Sequence, residues 1–285
     1  MDVQSEEQAE ELLTLLTLPA EIRNAIFQHI FNDEILRDGF FAHNENGGII
    51  MDPSYRASDY LRPFSACKQL YADGNTMAWN RISFISNSRF GDVRGRLCML
   101  NPHKMTTVRN LAFVADAHHF RDLVQWNHDP FGLTGLQLDT LTIILHSPGG
   151  WHYLFDFTAG IVSLLRRLQN VKRIVFVRNG ALVKGGFRTW YNRLIGLIMK
   201  VDHFQRYDRI PSSPEGTWWS WEYEEVAQTI GLKACPPRPL MGEEPYMLMM
   251  KPLMEGLKAS IEYEEKMAGL SRHDGWGWLS SNIAT

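Results

Sequence analysis

The sequence predicts an α/β protein in which an N-terminal helical module packs on a short array of parallel strands and crossover helices. Three observations carry this. The pattern Val108-x-x-Leu111-x-Phe113 returns at Leu138-x-x-Leu141-x-Ile143 and Val171-x-x-Ile174-x-Phe176, with central residues 30 and then 33 positions apart. Each segment reads as a buried strand, and each interval is long enough for a crossover helix. Ahead of these repeats, a strongly amphipathic segment follows Leu18-Pro19.

That segment starts a helix at Pro19, a residue suited to the first helical position, with Glu21 in the dipole-favoured first turn. At 100° per residue, Ile22, Ile26 and Ile30 form one stripe and Phe27 and Phe31 a second, so the apolar arc is wider than a surface helix needs. The helix is expected to end near Asn32. A loop follows, marked by Asn44-Glu45-Asn46-Gly47-Gly48 and Asp52-Pro53, before a second helix near Pro63 carrying Phe64, Cys67, Leu70, Tyr71, Met77 and Ala78. Arg81 to Ile85 predicts a short strand. Arg89 to Leu100 predicts a helix closed by Asn101-Pro102. The clearest crossover helix has Ile161, Leu164, Leu165 and Leu168 at i, i+3, i+4, i+7 spacing. The next carries Phe187, Trp190, Tyr191, Leu194, Ile198 and Val201. In the C-terminal third, Pro211-Ser212-Ser213-Pro214 is a break, Trp218 to Tyr223 a strand, and Cys235-Pro236-Pro237-Arg238-Pro239 a rigid connector. Tyr246 to Met250 predicts a further strand and Leu253 to Met267 a helix. The resulting division is an acidic leader (1–13), a helical module (14–85), a repeat body (86–210), its C-terminal extension (211–270) and a loose tail (271–285).

Composition excludes several function classes. With 285 residues, 45% of them hydrophobic, the chain can bury a large core. Its 29 basic and 32 acidic residues give a net charge of −3, which offers no overall footprint for nucleic acid or an anionic membrane. The cysteines Cys67, Cys98 and Cys235 are scattered and odd in number, as expected in a reducing compartment, with no CxxC for zinc or redox chemistry. The acidic N-terminus lacks the pattern of a signal or transit peptide, and no apolar run reaches the roughly 18 to 20 residues that span a bilayer. The expected location is the cytoplasm or nucleus.

Leu18-Pro19-x-Glu21-Ile22-Arg23-x-x-Ile26-Phe27 resembles the opening of the degenerate F-box-like family found in many fungal proteins. Cys67-Lys68-Gln69-Leu70-Tyr71-Ala72-Asp73, followed by Trp79-Asn80-Arg81-Ile82-Ser83-Phe84, is similar to that family's second helix and closing strand. The resemblance covers about a quarter of the chain. It implies an N-terminal module of the kind that docks on the Skp adaptor of a cullin ubiquitin ligase, with a leucine-rich-repeat-like array behind it presenting a protein substrate. The sequence departs from that pattern in one respect: roughly thirty residues separate the two blocks where an ordinary F-box has a short turn. The residues assigned to a partner surface are Leu18, Pro19, Ile22, Ile26, Phe27 and Phe31. The competing reading buries both stripes of the helix against the body.

Parallel sheets gather ligands beyond the carboxyl ends of their strands. Asp116, His118 and His119 follow the first repeat strand, His146 and Ser147 the second, and Arg178 and Asn179 the third. An imidazole beside a carboxylate can serve as general base, so Asp116, His118, His146 and Asn179 are the acid–base candidates. Polar residues also begin any surface loop. No closed metal-ligand spacing, GxSxG, GxGxxG or Walker A pattern occurs, and Ser147-Pro148-Gly149-Gly150 reads as a turn, so no metal or cofactor is expected. Between Phe157 and Val201 every charged residue is basic, a face suited either to an acidic partner or to the chain's own acidic segments at 222–225 and 262–265. The aromatic group Trp218, Trp219, Trp221 and Tyr223 is either a binding platform or core; strand alternation would set Trp218 opposite the other three. Two roles follow: a protein-binding adaptor, or a cofactor-independent cyclase, isomerase or hydrolase, which would need an enclosed pocket lined by the acid–base candidates.

Overall fold

The computed structural model describes residues 15–31, 39–42, 48–87, 92–147 and 150–276. The acidic leader, residues 44–47 of the loop signal, 148–149 of the predicted turn and 277–285 of the tail lie outside the described residues. The chain is α/β. Strands β3 (Ser83–Ser86), β4 (Asn110–Ala115), β5 (Leu138–Leu145) and β7 (Val171–Val177) run parallel in chain order. The repeated apolar residues fall into register: Leu111 lies beside Leu141 and Leu141 beside Ile174, while Phe113, Ile143 and Phe176 form the next row.

Side chains alternate between the faces of a strand, so these two rows share one face. They meet the buried residues of α4 (Val93–Cys98), α6 (Ala117–Val124), α7 (Thr158–Arg167) and α8 (Phe187–His203) in one core that includes Leu97, Phe120, Ile161 and Trp190. The opposite face has a smaller cluster of Ala112, Val114 and Ile144. A hairpin of β1 (Phe40–Ala42) and β2 (Ile49–Met51) covers it with Phe40 and Met51. This hairpin lies between α1 and the other helices of the N-terminal module in the chain. It reaches across the sheet, where Gly48 N donates to Val226 O at 2.8 Å and Ile49 N to Ala227 O at 3.0 Å.

The array ends differently from the prediction. β10 (Thr229–Cys235), which the sequence reading missed, pairs antiparallel with β7 and with β9 (Trp218–Glu224). Ile230 lies opposite Phe176 and Leu232 opposite Ile174, extending the apolar rows by one strand. Tyr246 to Met250 is helical, not a strand; it belongs to α9 (Glu243–Trp276), which also continues into the supposedly loose tail. Tyr246 and Met250 are one helical turn apart and both buried, so helical spacing outweighs local apolar density. Trp218 and Trp219 are both buried: the Arg238 guanidinium stacks on Trp218 at 3.5 Å, and Trp219 Nε1 donates to Leu165 O at 2.7 Å. Asn101 opens a short helix, α5 (Pro102–Met105), instead of closing one, by accepting from His103 N at 3.0 Å.

The N-terminal module has a core of its own. The predicted second helix is two helices, α2 (Ala57–Ser65) with Pro63 inside it and α3 (Lys68–Arg81) capped by Cys67. Against them α1 (Ala20–Phe31) buries Arg23, Phe27 and Phe31, not the isoleucine stripe. Two constraints choose that face. Arg23 reaches Asp73 on α3 at 2.7 Å. Gly74 lets the aromatic rings close in, because a Cβ there would meet Phe64 at 2.1 Å. Phe27 packs edge-on against Phe64 with centroids 5.1 Å apart.

At the other end of the molecule lies a buried charge cluster. Arg206, in the π-helical turn Phe204–Asp208 after α8, donates to Asp202 at 2.9 Å, to Glu215, and to Pro239 O at 3.1 Å. Tyr246 of α9 donates its hydroxyl to Asp202, and Glu215 accepts from Arg238 N at 3.1 Å. Burial would raise the Asp202 carboxyl, but hydrogen bonds from Glu215, Tyr246 and Arg206 outweigh it and hold that carboxyl below its ordinary value of 3.8. Burial, and after it the hydrogen bond to Asp202, push the Glu215 carboxyl above its ordinary value of 4.5.

Removing one member of such a cluster leaves Arg206 under-compensated, and Asp202→Asn is expected to cost about 3–5 kcal/mol at pH 7 in denaturant unfolding. Because the folded carboxyl lies below 3.8, Asp202's contribution is complete above that value and lost as pH falls through the lower folded value. The gap between wild type and variant should therefore narrow below pH 3.8. Glu215 acts in the opposite sense, its contribution fading as pH rises above 4.5 through its raised folded value.

Candidate functional site

The strand ends bring together only part of the predicted acid–base set. Asp116 leaves β4 and caps α6: its Oδ1 accepts from His118 N at 2.9 Å and His119 N at 3.3 Å. In this capping box the third helical residue reaches back to the cap. His119, not His118, lies against the carboxylate, with Nδ1 2.9 Å from Asp116 Oδ1 and 3.4 Å from Asp116 N; the tautomer decides whether that nitrogen donates to the one or accepts from the other. The His118 ring is three-quarters exposed and lies 3.3 Å from Asp122. Asp116, His118 and His119 line a cleft of about 870 Å³ whose walls include Asp92, Trp126 and Phe131.

His146 is elsewhere. It lines a separate pocket of about 120 Å³ that Asp116 also lines, and its carbonyl accepts from His152 Nε2 at 2.9 Å. Beside it the short strands β6 (Trp151–His152) and β8 (Leu182–Val183) pair in parallel. Asn179 joins neither group. It is buried with φ of 51°, a left-handed conformation that asparagine tolerates. Its Nδ2 donates to Leu145 O at 3.0 Å and its Oδ1 accepts from Met51 N at 2.9 Å. Its side chain pins the β1–β2 hairpin to the end of β5, and both amide groups are engaged. Asn179 thus has a positioning role, in place of the acid–base role predicted for it.

The Asp116–His119 pair has the geometry general acid–base chemistry asks of a dyad: an imidazole at the cleft wall with a carboxylate within hydrogen-bond reach of its Nδ1. Among the described residues no group of three or more His, Cys, Asp and Glu side chains could hold a metal ion. No described helix is long and apolar enough to cross a membrane.

The basic stretch is largely consumed inside the chain. Arg173 meets Glu222 at 2.7 Å, Arg188 binds Glu225, and Lys172 meets Asp139 at 2.7 Å. Asn192 donates to Glu264 at 2.8 Å. The acidic segments after residue 220 therefore answer part of this charge. Tyr223, deep among these groups, has its hydroxyl pushed up to about 12, chiefly by burial.

The residues assigned to a partner surface also divide. Phe27 and Phe31 are in the module's core at 4% and 5% exposure, which removes them from a docking surface. Ile22 and Ile30, at 49% and 50%, face outward; Ile26 and Leu18 are half-buried, and Pro19 is exposed. The exchange of the two stripes had one signal in the sequence: Arg23, Phe27 and Phe31 are four residues apart, so an arginine with a buried partner selects the phenylalanine side. The His119 pairing was signalled by its capping-box spacing from Asp116.

Comparison with protein-family models, with curated proteins and with solved structures finds no match.

Asn179→Ala would leave Met51 N and Leu145 O without their buried partner, and a loss of about 1–3 kcal/mol is expected. Hydrogen exchange at residues 49–51 should rise more than exchange within β5 and β7, because the hairpin is what the amide holds.

Proposed function

We propose that the chain is a protein-binding adaptor: α1 to α3 form an F-box-like docking module, and the parallel strands with their crossover helices form a leucine-rich-repeat-like recognition body. One observation carries this reading. The first helix is built into the module through Phe27 and Phe31, yet it leaves Ile22 and Ile30 half exposed on its outer side. Large aliphatic residues uncovered on an otherwise well-packed helix are what a docking surface needs. The chain-order parallel sheet with its helices on one face supports the recognition body, and the F-box-like residues support a Skp-type adaptor as the partner that leads to a cullin-type ubiquitin ligase.

A second reading is favoured by the Asp116–His119 pair at an 870 Å³ cleft. There the protein is a cofactor-independent cyclase, isomerase or hydrolase, with His119 as general base and Asp116 orienting it.

The adaptor reading is tested by capture from fungal extract. The folded protein should retain a Skp-type adaptor, and Ile22→Glu with Ile30→Glu should lower retention at least about tenfold, the scale of a modest interface hot spot. Both residues are on the surface, so the melting temperature should stay close to wild type. Retention unchanged in the double variant, or no adaptor retained by folded wild type, would overturn the ligase role.

A further inference from the structure

We infer that the valley between α8 and α9 is a second protein-binding surface, and that it takes an amphipathic helix bearing acidic residues beside its apolar stripe. This does not depend on how α1 docks.

The two helices run antiparallel. His203 near the end of α8 meets Glu243 at the start of α9 at 2.9 Å, and Asn192 meets Glu264 further along at 2.8 Å. Between them lies an apolar space of about 440 Å³ lined by Gly196, Met199 and the inner residues of α9. On α9 these residues are Met247, Met250, Met254, Leu257 and Ile261, alternately three and four apart. That is the spacing of a coiled-coil seam. Met250 is buried and Leu257 packs on the main core, so this half of the seam is satisfied by the protein itself. Met247, Met254 and Ile261 recur every seven residues and stay 38%, 44% and 38% exposed. A third helix lying in the valley would complete the seam. From 247 to 261 it would run for about 21 Å, or four turns.

The glycine at the floor of the valley points the same way. Glycine inside a helix costs about 1 kcal/mol relative to alanine. Nothing in the fold demands it at position 196, where an added Cβ would come no closer than 3.6 Å to its nearest neighbour, Leu257. What its missing side chain does is keep the valley open for close approach from outside. Methionine walls suit the same purpose, because an unbranched thioether adapts to a partner's side chains.

Charge specifies the occupant's flanks. Of the nine basic residues between Phe157 and Val201, eight are engaged by their own chain. The exception is Lys200, which has no ion-pair, hydrogen-bond or ring partner among the described residues and stands on the rim of this valley. On the facing rim Lys258 and Glu262 both line the valley and answer each other at 3.7 Å, which leaves Lys200 as its unanswered charge. An occupant with acidic residues beside its apolar stripe meets Lys200 directly. An acyl chain is a poorer fit, since pockets for small ligands enclose most of their ligand and here the outer methionines remain half open.

The test uses the full chain and two fluorescein-labelled 18-residue helical peptides of designed sequence, with leucine at alternating three- and four-residue spacing and either glutamate or lysine at the flanking positions. Anisotropy titration should show the glutamate peptide binding at least about tenfold more tightly than the lysine peptide, a difference that shrinks with added salt. Lys200→Glu should narrow or reverse that preference. Gly196→Phe fills the valley and should weaken binding at least about tenfold; Met254→Glu, at a half-exposed position, tests the same wall if the phenylalanine variant fails to fold. Equal affinity for both peptides, binding unaffected by Met254→Glu, or no binding of either peptide would overturn the inference. So would self-association of the wild type that Met254→Glu abolishes, which would make a second copy the occupant, or saturable binding of laurate without peptide binding.

Discussion

Arg206 is the group on which the C-terminal half is organised. A guanidinium has five donors in a rigid fork, and this one spends them on Asp202, Glu215 and the carbonyls of Pro239 and Arg238. Those partners come from the end of α8, the segment leading into β9 and the connector into α9. None of these connecting segments has a hydrophobic period strong enough to place it. Their positions follow from having to satisfy a charge that is 1% exposed. A buried ion cluster is a weak source of net stability, yet removing one of its members leaves an uncompensated charge and is costly. Within it the Asp202 carboxyl is held below its ordinary value and the Glu215 carboxyl pushed above its own, so the two carboxyl groups on this one arginine are driven apart in their titration.

From that anchor the architecture divides into a part with a repeating logic and a part without one. The register of Leu111, Leu141 and Ile174 was legible before any coordinates, because equal spacing of equal patterns is how parallel strands with similar crossovers are encoded. The helix after Pro19 was legible in its limits but not in its orientation. Both of its stripes are apolar, and the choice between them was made by Gly74 and by the Arg23–Asp73 pair, which are tertiary facts. β10 was missed because only Ile230 and Leu232 are large apolar residues on its buried face, with Gly231 between them, and its neighbour β7 is distant in sequence. Tyr246 to Met250 was misread because five apolar or aromatic residues in a row suit a strand as well as a buried helix.

The candidate sites show the same division. That polar residues at strand ends form a cleft was readable from topology. Which of them share it was not, since that depends on side-chain direction: His119 turns to Asp116 and His118 to Asp122 along the same cleft, His146 lines another pocket, and Asn179 is occupied by the hairpin. The exposed isoleucines of α1 and the open valley beside α9 lie on separate elements, so the molecule carries two apolar surfaces that one partner need not fill.

The hairpin that straps the sheet has a consequence for biosynthesis. Its amides at Gly48 and Ile49 close on carbonyls of residues 226 and 227. At translation rates of about 5–20 residues per second, those acceptors are made about 2.5–10 s after β7 completes the parallel strands. During that interval the hairpin over Ala112, Val114 and Ile144 lacks its anchor at residues 226 and 227 and is held to the end of β5 through Asn179. The nascent chain is thus most vulnerable to aggregation between completing its parallel strands and completing its last hairpin, and a chaperone acting in that window would meet an apolar sheet face whose cover is not yet strapped at both ends.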